Sequence, residues 1–292
     1  MKPSPSGRGI WLTATPALFV VLWSTGFLGA KLGLPYAEPF TFLGIRMVIA
    51  TGLLGVFALA TRAPWPRSWR KAGHIAVAGL LVHALYLGGV FTAIQAGLAA
   101  GVTALIVGVQ PLLTAVIAGW FLEEQVTARQ WLGLVLGLLG IVLVVSSKLT
   151  EGTTTLFGIG CALLALLAIT LGTLYQKRFC VHMDLRSGGA IQYAVTTIAM
   201  LAMAFTFESM QVTWTGEFIF ALSWLVLVLS VGAVGLLYTL IRQGAAARVA
   251  SLFYLTPPLT AVLGYLLFGE ALGIIALAGM VLALIGVVLV NT

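Results

Sequence analysis

Long apolar runs, each broken by charges, prolines or short polar clusters, recur along the chain. They fall at approximately 11–31, 39–60, 73–94, 99–121, 129–147, 156–176, 188–207, 218–240, 246–268 and 271–290. Each run comes close to the ~20 residues that a helix needs to cross about 30 Å of hydrocarbon. The pattern predicts an all-α integral membrane protein with ten transmembrane helices. The first run follows Lys2 and Arg8, as a secretory signal would. It is too long for the apolar core of a signal, and the repeat described below requires it as a retained helix.

Charge then orients the spans. With the amino terminus inside, Lys2, Arg8, Arg62, Arg67, Arg70, Lys71, Arg129, Lys177, Arg178, Arg186, Arg242 and Arg248 are cytoplasmic, only Lys31 and Lys148 are outside, and Arg46 lies within a span. This positive-inside bias places both termini in the cytoplasm and predicts a multi-pass protein of the bacterial inner membrane. Composition agrees: 61% of the 292 residues are hydrophobic and 8% charged, against about 45–50% and about 25% in soluble domains. The short connections leave no room for a nucleotide-binding domain, and no G-x-x-x-x-G-K-[ST] run is present. The net charge of +7 is read as basic loops at a membrane rather than as a nucleic-acid surface. Cys161 lies in an apolar run and Cys180 in a basic loop, so no disulfide framework is expected.

The sequence also repeats. Residues 111–116 read PLLTAV and residues 257–262 read PPLTAV, an offset of 257 − 111 = 146. The same offset pairs Glu124 with Glu270, Gly133 with Gly279, Gly140 with Gly286, Gly26 with Gly172, Lys31 with Lys177, and Arg46 with Gln192. Two units follow, 1–146 and 147–292, each with five spans. Because five is odd, the second unit enters the membrane from the opposite side, giving an inverted-topology repeat of the kind used by secondary transporters.

The cluster Trp23-Ser24-Thr25-Gly26-Phe27, Arg46 in the second span, and the twice-repeated proline followed thirteen positions later by glutamate resemble the EamA-type branch of the drug/metabolite transporter superfamily. Within that branch the aromatic content is most similar to the YddG-type exporters of aromatic and other amino acids. The resemblance implies two inverted five-helix repeats around a central cavity lined by helices 1–4 and 6–9, with helices 5 and 10 to the side. Ser24 departs from the glycine often found after the first tryptophan of the family.

Arg46 is the one basic residue in the middle of a span, where an unpartnered cation costs about 3 kcal/mol or more. It either attracts the carboxylate of a substrate, for which a guanidinium offers paired donors, or ties helix 2 to backbone carbonyls or Glu38. His83 and Tyr86 share a face of the third span, with Gln95 near its end. Trp23, Tyr175, Gln192, Tyr238 and Tyr254 add amphipathic groups suited to a small, partly apolar ligand. Pro111, Pro257 and Pro258 fall within apolar runs and are candidate hinges. Gly133 and Gly137, with Gly279 and Ala283, are small-residue contacts, either within the monomer or across a homodimer. Thr127 and Gln130 fit a capping box.

The acidic residues all sit at span ends or in loops, so no buried carboxylate offers a proton or sodium relay. Metal, cofactor and nucleophile signatures are missing. The expected function is secondary transport: export of small metabolites, amino acids including aromatic ones, by alternating access and facilitated diffusion, with coupling through His83 as the alternative. Other substrates in play are drugs, purines or further metabolites. Competing classes are an intramembrane enzyme acting on lipid-linked substrates and a receptor-like binding protein.

Overall fold

The computed structural model describes residues 5–98, 100–146, 155–268 and 273–292. Lys2, Lys148 and Glu270, used above for charge and repeat, lie outside the described residues. In chain order the helices are α1 (Pro5–Gly33), α2 (Pro39–Ala60), α3 (Trp69–Gln95), α4 (100–121), α5 (Ala128–Ser146), α6 (Leu156–Phe179), α7 (Leu185–Phe207), α8 (Gly216–Gln243), α9 (246–268) and α10 (Ile274–Asn291). Among the described residues, nine of these helices are long and apolar enough to cross a membrane, and α5 carries the shorter apolar stretch Ala128–Val144. The fold is that of an all-helical, multi-pass membrane protein.

Local sequence starts the helices where expected. Thr155, Asp184 and Thr215 accept hydrogen bonds from backbone N–H groups of the first turns of α6, α7 and α8, satisfying donors that a helix start leaves open. The Thr127–Gln130 capping box forms as read, with Thr127 N donating to Gln130 Oε1 at 3.0 Å and Gln130 N to Thr127 Oγ1 at 3.3 Å.

Four helices are not the uniform rods that periodicity predicts. α3 widens into a π-helix over Leu80–Leu85, and α8 does the same over Leu225–Ala233. α4 breaks at Gly108 and Val109, restarting at Gln110–Phe121 with Pro111 in its first turn. α9 passes through a 3₁₀ turn at Leu252–Leu255 before Thr256–Phe268, so Pro257 and Pro258 also open a segment. A first-turn N–H has no intrahelical acceptor, so proline is tolerated there. The candidate hinges thus sit at breaks between segments rather than at bends within one helix.

Two helix pairs organise the packing. α5 and α10 meet through glycines: a Cβ on Gly133 would lie 2.6 Å from the carbonyl oxygen of Gly286, and one on Gly140 2.6 Å from that of Gly279. Numbers rise along one helix as they fall along the other, so the pair is antiparallel. The small-residue motif is therefore consumed within the chain. α2 and α7 also pack together, with Gly44 against Leu201, Gly189 against Leu54, and the Thr51 and Thr197 hydroxyls 3.3 Å apart.

The two ends of the bundle are closed by polar contacts. At one end Phe40 N, Thr41 N and Thr41 Oγ1 donate to the Glu208 carboxylate, Ser209 donates to Glu38, Tyr36 pairs with Glu217, and Ala37 bridges Val212. Glu217 beside it raises the phenol pKa of Tyr36. At the other end Lys177 pairs with Glu124 and donates to Gly244 O at 2.6 Å, while Ala246 N donates to Glu124. Between these ends the perimeter exposes Val56, Ile198, Phe205, Leu227 and Leu266, an apolar belt that hydrocarbon can cover.

Candidate functional site

Along α2 the residues Phe42, Leu43, Arg46, Met47 and Ala50 are buried, whereas Val48, Ile49, Leu53 and Val56 are exposed. Helical spacing thus aims Arg46 inward, where it is 5% exposed. Its Nε donates to Ser230 Oγ at 3.0 Å. Among the described residues this is the guanidinium's hydrogen bond, and no carboxylate pairs with it. Glu38, the alternative partner considered above, is engaged with Ser209 instead. A guanidinium has five donors, so four remain for whatever enters beside it.

That space is a cavity of about 540 Å³ of atom-free volume, counting its mouth, bordered by Arg46, Trp23, His83 and Tyr86 among apolar side chains such as Phe91 and Leu229. Trp23 stacks on Tyr86 with ring centroids 6.5 Å apart. The widened segments of α3 and α8 supply His83, Leu229 and Ser230, so both face this space. A π segment adds a residue to the turn and displaces side chains from regular helical register, which is common where helices carry a site.

Behind the lining, His83 Nε2 and Tyr238 OH are 3.1 Å apart, and the His83 ring lies 4.7 Å from that of Tyr193. Tyr193 donates to Ser230 O, so Ser230 joins Arg46 to α7. Gln192 is fully buried and donates to Gln176 Oε1 at 2.9 Å. Tyr238 and Gln192 therefore support the cavity wall rather than line it.

Three other predicted residues lie elsewhere. Gln95 is exposed at the end of α3, because the helix carries it past the cavity. Tyr175 bonds His74 Nδ1 at 2.6 Å and packs on Phe179. Tyr254 is buried against Gly137 of α5. The Ser24 hydroxyl, which a glycine would lack, donates to Val20 O at 2.7 Å within α1 and reaches Thr256 O of α9 at 3.4 Å. Sequence reasoning missed Ser230, although a lone serine in the run LVLVLSVGA was the available signal.

Trp23 lines the Arg46 cavity, and Phe253 lines a second, smaller one. Their rings meet edge to face at 5.3 Å, with Phe19 5.3 Å from each, making an aromatic partition.

A model of the EamA-like transporter family matches residues 8–146 and again 156–292. The chain belongs to the EamA-like transporter family. An uncharacterized transporter of Bacillus subtilis, YvbV, is 30% identical over all of this chain and 94% of its own length. The uncharacterized inner membrane transporter YedA of Escherichia coli is 26% identical over 94% of this chain and 89% of its own. The chloroplastic WAT1-related protein At3g02690 of Arabidopsis thaliana is also 26% identical, over 98% of this chain and 70% of its own. A solved structure titled only as the crystal structure of a protein superposes with a TM-score of 0.79 over 96% of each chain at 16% identity, a likeness of fold alone. As an EamA-like transporter, this is a multi-pass membrane protein that moves small metabolites.

Proposed function

We propose that the chain exports amino acids, aromatic ones included, across a bacterial inner membrane by alternating access. The observation that carries this reading is Arg46: a buried cation whose described protein partner is a neutral hydroxyl, at the edge of a cavity otherwise walled by His83, Trp23, Tyr86, Phe91 and aliphatic side chains. A zwitterion with an apolar side chain complements that arrangement. Its carboxylate takes the free guanidinium donors, and its side chain lies among the rings. The described acidic residues lie at helix ends and loops, which favours facilitated diffusion down the substrate gradient over ion coupling.

The architecture we infer is ten spans in two inverted five-helix units, 1–146 and 147–292, with both termini cytoplasmic. Several observations support it. The family model matches each half separately. Thr51 touches Thr197, its own counterpart 146 residues on, as expected of a residue near a pseudo-two-fold axis. The reciprocal contacts Gly133–Gly286 and Gly140–Gly279 have the form of an isologous interface. The π segments and the proline-led breaks recur at corresponding points of the two halves.

The decisive measurement is uptake of radiolabelled amino acids into liposomes that contain only this protein. Phenylalanine is expected to equilibrate without a proton or sodium gradient. Failure of any amino acid to move in either direction would refute the substrate class. A periplasm-active reporter fused after Thr292 is expected to stay silent, and robust activity would overturn the ten-span orientation.

A further inference from the structure

The connection from α2 to α3, residues 61–68, and the first turn of α3 carry Arg62, Arg67, Arg70 and Lys71, all exposed, while no Asp or Glu occurs between Glu38 and Glu123. Among the described residues none of these four side chains makes an ion pair or a hydrogen bond. The connection is held in place: Ser187 of α7 donates to Pro64 O at 2.6 Å, Ala63 N to Ala58 O at 2.8 Å, and Ser68 caps α3. Asp184, three residues before Ser187, is already paired with Arg186. Arg70 and Lys71 stand in the first turn of α3, where the helix dipole disfavours cations, so helix stability does not account for them. Between the cations Trp69 is 94% exposed, more than any other large apolar side chain described. α3 runs for 27 residues, about 40 Å at 1.5 Å per residue, against about 30 Å of hydrocarbon. The excess carries its first turn into the headgroup layer, where tryptophan is favoured.

We propose that this face is a docking surface for anionic phospholipid, with headgroup phosphates among Arg67, Arg70 and Lys71 and the Trp69 ring lying beside them. Charge complementarity selects the occupant: cations without a counter-ion meet a lipid of net negative charge, whereas a zwitterionic lipid brings none. Each such cation near an anionic surface contributes about fivefold to association. An acidic soluble protein would match the charge but not the headgroup depth of Trp69. From this face α3 continues to His83 and Tyr86 at the cavity, so the bound lipid grips the helix that carries two of the cavity residues. The inference rests on the membrane-spanning fold and not on the substrate.

The test places the purified full chain in bilayers containing dibrominated phosphatidylglycerol or dibrominated phosphatidylcholine, whose bromines quench nearby tryptophan. The difference between the parent and Trp69→Phe isolates the share of Trp69. That share is expected to be quenched by phosphatidylglycerol at about a fivefold lower mole fraction, or less, than by phosphatidylcholine. Raising salt from about 0.1 to about 1 M shortens the screening length from about 10 to about 3 Å and should shrink the preference. Replacing Arg67, Arg70 and Lys71 together with glutamine should bring the two lipids close to parity while leaving melting in phosphatidylcholine unchanged. Equal quenching by both lipids in the parent, or a preference that survives the triple replacement, would overturn the docking surface. Should the triple variant fail to accumulate, the salt series on the parent decides, and a preference that does not shrink refutes the proposal. Melting raised as much by dissolved glycerol phosphate as by phosphatidylglycerol would assign the cations to a free phosphate and likewise overturn it.

Discussion

Replacing Arg46 with methionine separates a binding cation from a structural one, because the two roles predict opposite changes in stability and transport. The guanidinium is 5% exposed and donates to one neutral oxygen, Ser230 Oγ at 3.0 Å. Removing a charge at membrane depth recovers about 2.5–3.5 kcal/mol on insertion scales. Losing a hydrogen bond from a charged donor forfeits about 1.5–3 kcal/mol. The terms nearly cancel, so Arg46→Met should keep its fold within roughly 1 kcal/mol of the parent. Transport should not survive so well. Loss of a guanidinium–carboxylate contact worth about 1.5–3 kcal/mol raises half-saturation roughly 10- to 150-fold. Arg46→Lys keeps the charge, loses the planar fork and should fall between. Melting of the purified variants, followed by size-exclusion chromatography and paired with phenylalanine flux in liposomes, reads both quantities. A variant that fails to accumulate as folded protein would assign Arg46 to the fold. One that folds and transports with unchanged half-saturation would remove it from the site.

Other consequences can be checked with single substitutions. Gly140→Ala drives a methyl to 2.5 Å from Ala283 N, against backbone that cannot swing aside, and should destabilise the α5–α10 seam by about 1–3 kcal/mol. Gly52→Ala, which meets nothing within 4 Å, should be neutral or gain up to about 1 kcal/mol of helix propensity, and melting of the two side by side is the measurement. Pro111→Ala and Pro257→Ala should leave stability nearly unchanged, since first-turn prolines sacrifice no hydrogen bond, but slow transport if the breaks serve as hinges; unchanged flux in both would end the hinge reading. Asp184 caps α7 and is hydrogen-bonded by Arg186, which holds its carboxyl below the usual carboxylate range. Its contribution is therefore present above the unfolded value of about 3.9 and lost as pH falls through the lower folded value. The melting difference between the parent and Asp184→Asn should be constant above about pH 5 and close in stronger acid.

Much of this molecule was legible from hydrophobic pattern alone. Helix existence, approximate ends and the capping box at Thr127 follow from periodicity and local hydrogen bonding, which act within a few residues and leave their mark in order along the chain, and the cost of a cation within a span singled out Arg46. The offset of 146 likewise needed only self-comparison. Hidden from that reading were the π segments of α3 and α8, Ser230 as the partner of Arg46, and the removal of Gln95, Tyr175 and Tyr254 from the cavity. Each depends on which turn of one helix meets which turn of another, and an amphipathic tyrosine has the same pattern whether it faces a cavity, a neighbouring glycine or the bundle end. Tertiary packing alone decided that Trp23, Phe19 and Phe253 close on one another beside the Arg46 cavity. Local sequence specifies faces; rings more than two hundred residues apart meet only because close contacts between helices leave them no other space.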